Sequence, residues 1–201
     1  MKRLTLKNNI DPNFIGAWKI DDKKNCNDVI DFFEENQSLH IQGQTSQGVN
    51  EVYKKSTDIV VKPNSLNDLR FESLNNFIGN LNECYQDYLS IWPFLDSFAN
   101  KIDLGPFHIQ KYEEGDHFSQ IHSERMGLST SHRLFAWMTY LNDVESGGHT
   151  FFKNYDLRIK PEQGKTLIWP AEWTHAHSGE PVAKGIKYIV TGWMHFPIDN
   201  R

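Results

Sequence analysis

The runs Phe107-His-Ile-Gln-Lys-Tyr112, Phe118-Ser-Gln-Ile-His122 and Leu134-Phe-Ala-Trp-Met-Thr-Tyr-Leu141 decide the fold. Each is short, rich in aromatic or β-branched residues, and bounded by Gly, Asn, Asp or Ser, as strands separated by turns are. Five more such runs follow, at residues 150–153, 157–159, 166–169, 176–178 and 187–196. Upstream of Gly105 the pattern is different. Cys26, Val29, Ile30 and Phe33 recur at helical spacing and predict a helix over roughly 26–36, with Asn25 as its N-cap. Ser65, with Asp68 three residues later, opens the longest expected helix. Leu74, Phe77, Ile78, Leu81, Cys84, Tyr85 and Tyr88 form its apolar face, and Pro93 marks its end. An apolar patch over 14–20 predicts one early strand, and the Gln/Ser/Gly-rich stretch 37–50 a long loop.

Helices first and about eight strands afterwards predict a mainly β fold: a barrel or sandwich with N-terminal helices packed on one outer face. No internal repeat or linker interrupts the chain. Residues 1–201 therefore read as a single domain, with helical support over about 1–104 and a β core over about 105–196.

At 201 residues, with 38% apolar and 23% charged, the chain can bury a full core. A net charge of −5 argues against nucleic acid as a partner, because phosphate binding needs a concentrated basic surface. The longest uncharged apolar stretch, 134–141, is far short of the ~20 residues that cross a bilayer, so no membrane partner is expected. The opening MKRLTLKNNI has basic residues without an apolar run behind them, which predicts no secretory signal and a cytoplasmic, reducing setting. Cys26 and Cys84 lack metal-type spacing and are read as small apolar core residues rather than a disulfide. Oligomeric state is left open.

Chemistry-bearing residues cluster in the second half. His122 and Glu124, two apart on an extended segment, share a face. A later histidine, His175 or His177, can complete two nitrogens and one oxygen around a metal with positions left open, the ligand set of non-haem iron(II) oxygenase sites. Gly147-Gly148 suits a tight hairpin or a close approach of backbones. Lys187 starts the apolar run Tyr188-Ile-Val, where a charge is costly to bury unless an anion meets it.

Taken in order, Tyr112-x-x-Gly115, His122-x-Glu124, Arg133…Tyr140-Leu-Asn142, Gly147-Gly-x-Thr-x-Phe152, Pro161-x-x-Gly164, His177-x-Gly-x-Pro181-Val182 and Gly185-x-Lys187…Trp193 form one pattern. It resembles the prolyl 4-hydroxylase branch of the iron(II)/2-oxoglutarate dioxygenases, over about 107–195. The resemblance implies a double-stranded β-helix, or jelly-roll (cupin-like), core. It also implies iron(II), 2-oxoglutarate and dioxygen, with ascorbate as an accessory reductant. The activity implied is hydroxylation of an unactivated C–H bond, of a peptidyl proline in the nearest branch, with release of succinate and carbon dioxide.

By the family intervals the metal ligands are His122, Glu124 and His177, because Pro181 stands four residues and Lys187 ten residues beyond His177. His175 is the alternative to His177, and shares its face if the segment is extended. Lys187 is the implied partner of the distal carboxylate of 2-oxoglutarate, with the hydroxyls of Tyr112 and Thr191 as further contacts, and Trp193 is read as barrel wall. Most of the family carries Asp where this chain has Glu124. The extra methylene moves the carboxylate out by ~1.5 Å, and an alternative leaves Glu124 in solvent beside a two-histidine site. The alternative functions are a jelly-roll metal- or ligand-binding module without turnover, a hydroxylase of a free amino acid or other small molecule, and a zinc hydrolase on the same ligands.

Overall fold

A computed structural model describes residues 1–7, 10–45 and 47–197. In the first half the strands are β1 (Lys2–Arg3), β2 (Gly16–Lys19), β3 (Ile41–Gln42), β4 (Lys54–Lys55), β5 (Thr57–Val61) and β6 (Asp103–Leu104). In the second half they are β7 (Phe107–Tyr112), β8 (His117–His122), β9 (Arg133–Tyr140), β10 (Ser146–Gly147), β11 (Thr150–Phe152), β12 (Leu157–Ile159), β13 (Lys165–Pro170), β14 (His177–Gly179), β15 (Val182–Lys184) and β16 (Lys187–His195). The larger sheet runs β1-β2-β13-β9-β16-β7-β5-β3, with β6 paired to β16; the smaller runs β12-β11-β14-β8-β4. Two antiparallel sheets packed face to face, with helices outside one of them, make the jelly roll expected from the sequence.

Each of the eight predicted strands is present within one or two residues of its expected ends. The first half departs further from expectation. Thr57-Asp-Ile-Val-Val61, a β-branched run outside the expected strands, forms β5 and pairs with β7 from Phe107 to Lys111. The expected loop 37–50 contains a 3-10 turn, Gln37–Leu39, and strand β3; its Ser46 lies outside the described residues. The first hundred residues thus supply strands as well as helices.

Helix α1 spans Lys23–Glu35, and its N-cap is Asp22 rather than Asn25. The Asp22 carboxylate accepts from the Asn25 backbone N–H at 3.0 Å. Asn25 itself is buried and donates to the Ser73 carbonyl, which ties α1 to the second helix. That helix, α2, spans Glu72–Ile91 and starts later than Ser65 predicts. Pro63–Asn67 and Leu69–Phe71 are 3-10 turns, and Asp68, in an extended conformation, caps the second of them and turns the chain before α2 begins.

Alternation along the central strands separates two cores. Phe135 and Trp137 of β9, with Phe107 and Ile109 of β7, face α1 and α2. Ala136, Met138 and Tyr140 of β9 face the smaller sheet, where they meet Phe152, Leu157 and Ile159. Cys26 and Cys84 belong to the helix-side core as free thiols, and burial pushes them up to about 11 and about 12. Truncating Leu81, buried on α2, to Ala should cost about 2–5 kcal/mol in urea unfolding. Leu69→Ala, at a side chain 88% exposed, should change stability by less than about 0.5 kcal/mol in the same measurement.

Candidate metal centre

Strands β8 and β14 pair so that His177 lies directly opposite His122. Glu124 follows β8 in a bend two residues beyond His122, and so returns to the same face. One ligand atom from each of His122, Glu124 and His177 lies within 4.8 Å of the other two. Glu124 Oε1 is 3.3 Å from His177 Nε2 and 3.7 Å from His122 Nε2.

Backbone carbonyls decide which imidazole nitrogens face inward. His122 Nδ1–H donates to the Gln120 carbonyl at 2.8 Å, and His177 Nδ1–H to the His175 carbonyl at 2.9 Å. A carbonyl can only accept, so each proton sits on Nδ1 and each Nε2 keeps a lone pair aimed at the carboxylate. Aromatic rings hold both imidazoles. Phe118 stacks on His122 at 4.0 Å between centroids, and Phe152 and Trp169 flank His177 at 5.4 and 5.1 Å. Burial, with the neighbouring His177, lowers the pKa of His122 to about 4, so it is neutral near pH 7. Burial alone would raise Glu124. Its closeness to the His177 and His122 imidazoles and the Trp193 N–H outweigh burial and pull the carboxyl down to about 2. Two lone pairs and an anion converging in a shielded place form a site that a divalent cation satisfies.

His175 is not part of this set. Residues Trp173–His175 form a 3-10 turn rather than an extended segment, so its ring does not share the face of His177. Its Nε2 lies 2.9 Å from the Asn13 carbonyl and 3.3 Å from the Tyr155 hydroxyl, and its Nδ1 lies 3.0 Å from Thr174 Oγ1. What it gives the centre is its backbone carbonyl, which orients His177.

Glu124 is shielded, with only 13% of its side chain exposed, against the alternative that left it in solvent. Its Oε2 accepts from the Trp193 indole N–H at 2.6 Å. The Arg133 guanidinium lies 3.6 Å from the Trp193 ring centroid, and Arg133 also donates to the Glu124 carbonyl at 3.1 Å. Reading Trp193 as barrel wall missed this contact. The signal was present in the sequence, because Trp193 is six residues from Lys187 and shares its face of β16.

Lys187 is buried at the start of β16, 3% exposed, with Nζ donating to the Gly148 carbonyl at 3.1 Å and lying 4.3 Å from the Tyr112 ring centroid. Gly147 and Gly148 both have positive φ, and a Cβ on Gly147 would collide with the Pro181 carbonyl, so the pair turns the chain where that carbonyl is presented. Lys187 forms no ion pair among the described residues. Burial lowers its pKa to about 8 although the charge of Glu180 opposes the shift. Tyr112 brings its ring, not its hydroxyl, to Lys187. The hydroxyl donates to Gln110, which donates to Asp58, itself paired with Lys54 in a buried cluster. Thr191 donates to the Trp137 carbonyl at 2.9 Å.

Comparison with known proteins agrees with this geometry. Residues 107–195 match the profile of the 2OG-Fe(II) oxygenase superfamily. Probable prolyl 4-hydroxylase 9 of Arabidopsis thaliana is 30% identical over 114 residues, covering 44% of this chain and 40% of that protein. The human prolyl 4-hydroxylase subunit alpha-1 is 26% identical over 96 residues, covering 44% of this chain and 17% of that one. The chain thus matches well under half the length of these curated relatives. Two solved structures share the fold along nearly the whole chain. A viral collagen prolyl hydroxylase from Paramecium bursaria Chlorella virus-1 has a TM-score of 0.68 at 16% identity, over 93% of this chain and 98% of its own. A prolyl hydroxylase from Trichoplax adhaerens, in complex with a hypoxia-inducible-factor peptide fragment, has a TM-score of 0.72 at 15% identity, over 92% and 85%. Residues 107–195 are thus similar to the 2OG-Fe(II) oxygenase superfamily, the sequence relatives of that segment are prolyl 4-hydroxylases, and the fold is the jelly roll shared with the solved prolyl hydroxylases.

Proposed function

We propose that the chain hydroxylates an unactivated C–H bond, with a peptidyl proline as its substrate class, using iron(II), 2-oxoglutarate and dioxygen. The observation that carries the reading is the convergence of His122, Glu124 and His177, with both histidines fixed as Nε2 donors by backbone carbonyls. That donor set suits iron(II) with positions left for other ligands. Names of relatives support the substrate class, as does the Trichoplax adhaerens structure that carries a peptide. A use of ascorbate rests on the family resemblance.

Iron(II) held by these residues would activate dioxygen, the oxidant, one atom of which would enter succinate as 2-oxoglutarate loses carbon dioxide and the other the substrate hydroxyl. The chain's own residues hold and orient. His122 and His177 give nitrogen ligands of fixed tautomer, and Glu124 gives an oxygen and neutralises one of the two metal charges. Lys187 pairs with the distal carboxylate of 2-oxoglutarate. Its ammonium is already aimed by the Gly148 carbonyl and the Tyr112 ring, so little ordering is left for binding to accomplish. The aromatic walls of Phe118, Phe152 and Trp169 keep water from the ligand atoms.

Anaerobic titration of metal-free protein with iron(II) and then 2-oxoglutarate should give the weak visible charge-transfer absorption of the two together. Normal metal binding without that absorption would instead favour a binding module without turnover. His122→Ala and His177→Ala should each abolish 2-oxoglutarate decarboxylation, whereas His175→Ala should retain measurable activity at reduced stability.

Lys187 makes a pH prediction of definite sign. Its folded pKa, about 8, is below the ordinary 10.5, so burial costs about 3 kcal/mol at neutral pH, and this cost fades as pH rises from about 8 toward 10.5. An anion at Lys187 needs the ammonium form. Calorimetric affinity for 2-oxoglutarate should therefore be flat below about pH 8 and fall up to tenfold per unit above it, with proton uptake on binding. Lys187→Met should weaken binding and remove this pH dependence.

A further inference from the structure

We propose that Trp193 is a positioning residue for the metal carboxylate: its indole N–H holds Oε2 of Glu124 and so reserves Oε1 for the metal. The inference rests on the metal-site reading above and adds to it a residue outside the ligand set.

Glu has one more rotatable bond than Asp, so at this place its carboxylate has more ways to turn. It could present both oxygens to one cation or swing away from the histidines. The structure removes that freedom from one side. Oε2 lies 2.6 Å from the Trp193 Nε1, and Oε1 faces the two imidazole nitrogens at 3.3 and 3.7 Å. An indole has one N–H and no acceptor, so this contact has a single sense.

Trp193 is itself braced. Arg133 covers one face of its ring at 3.6 Å and donates to the Glu124 backbone carbonyl at 3.1 Å, so one side chain fixes both ends of the indole–carboxylate contact. His108 meets the ring edge-on at 5.9 Å between centroids. Strand pairing holds the parts together, since β9 and β16 are neighbours in which Trp193 lies opposite Ala136. The reach matches Glu and not Asp. Withdrawing the carboxylate by ~1.5 Å would take a 2.6 Å contact beyond hydrogen-bond range.

Cobalt(II) binding tests the proposal without turnover, in the wild type, Trp193→Phe, Glu124→Asp and the double variant. The wild type should bind cobalt with one defined visible spectrum. Trp193→Phe should bind about 10–100-fold more weakly with an altered spectrum. In the Glu124→Asp background the same Trp193→Phe change should alter affinity by less than about twofold, since the indole has no carboxylate within reach there. Equal affinity and spectrum in wild type and Trp193→Phe would overturn the proposal while leaving the metal site intact. An equal loss in both backgrounds would overturn it too, as the mark of a general structural role. A wild type that binds no cobalt would overturn the metal-site reading and this inference together. If Trp193→Phe does not fold, indole N–H resonances of the wild type and Glu124→Ala decide. One should lose its downfield, carboxylate-bonded position in Glu124→Ala, and unchanged indole resonances would overturn the proposal.

Discussion

The pairing of His177 with His122 across β14 and β8 is the constraint on which the centre depends. A metal site assembled from two separate strands is only as exact as the register between them, and a slip of one residue would turn one imidazole out of the sandwich. Several features hold that register. Phe152 pairs with His177 on the other side of β14, and β4 from the N-terminal half covers the free edge of β8. Backbone carbonyls two residues before each histidine take the Nδ1 protons. Strand geometry and tautomer are therefore set together, before any ligand arrives.

Lys187 poses the opposite problem. Most buried groups here are satisfied within the protein, as Lys54 is by Asp58, with Ser56 and Gln110 completing the carboxylate's partners. Among the described residues Lys187 has one carbonyl and an aromatic face but no carboxylate within ion-pair distance. The two lysines are linked through Tyr112, Gln110 and Asp58, and differ in whether the fold supplies the counter-charge. A charge left to be matched from outside is a cost accepted by the fold in exchange for binding.

The sequence is legible where period and chemistry agree. Eight of the ten strands after Gly105 are bounded by turn residues and short enough to admit one reading, while the short pair β10 and β15 carries no such pattern. The site residues there stand at intervals that carry chemical meaning, His122 two before Glu124 and Lys187 ten after His177. Legibility failed where tertiary contacts outweigh local signals. Asn25 looks like a cap but is buried against Ser73, and the cap is Asp22. Thr57-Asp-Ile-Val-Val61 is a clear β-branched run, yet the acid at its second position masks it as a buried strand, because the lysine that matches Asp58, Lys54, is brought there by the fold. Trp193 read as wall because a tryptophan in a strand is usually apolar surface; the face that it shares with Lys187 was legible, whereas the direction of its N–H was not. His175 and His177 could not be separated by local chemistry, since the turn that parts them is a matter of backbone conformation.

The strand order bears on how the chain acquires its structure. The last strand, β16, lies in the middle of the larger sheet between β9 and β7, and β13 closes against β2 from near the start of the chain. During synthesis the helices and most of the strands emerge before the piece that joins them. The apolar face that α1 and α2 cover stays incomplete until β16 is available, and β7 and β9 each keep one bare edge until then. Closure of the larger sheet thus waits for β16, and until that strand is made the preceding segment depends on shielding by neighbouring molecules rather than on its own core.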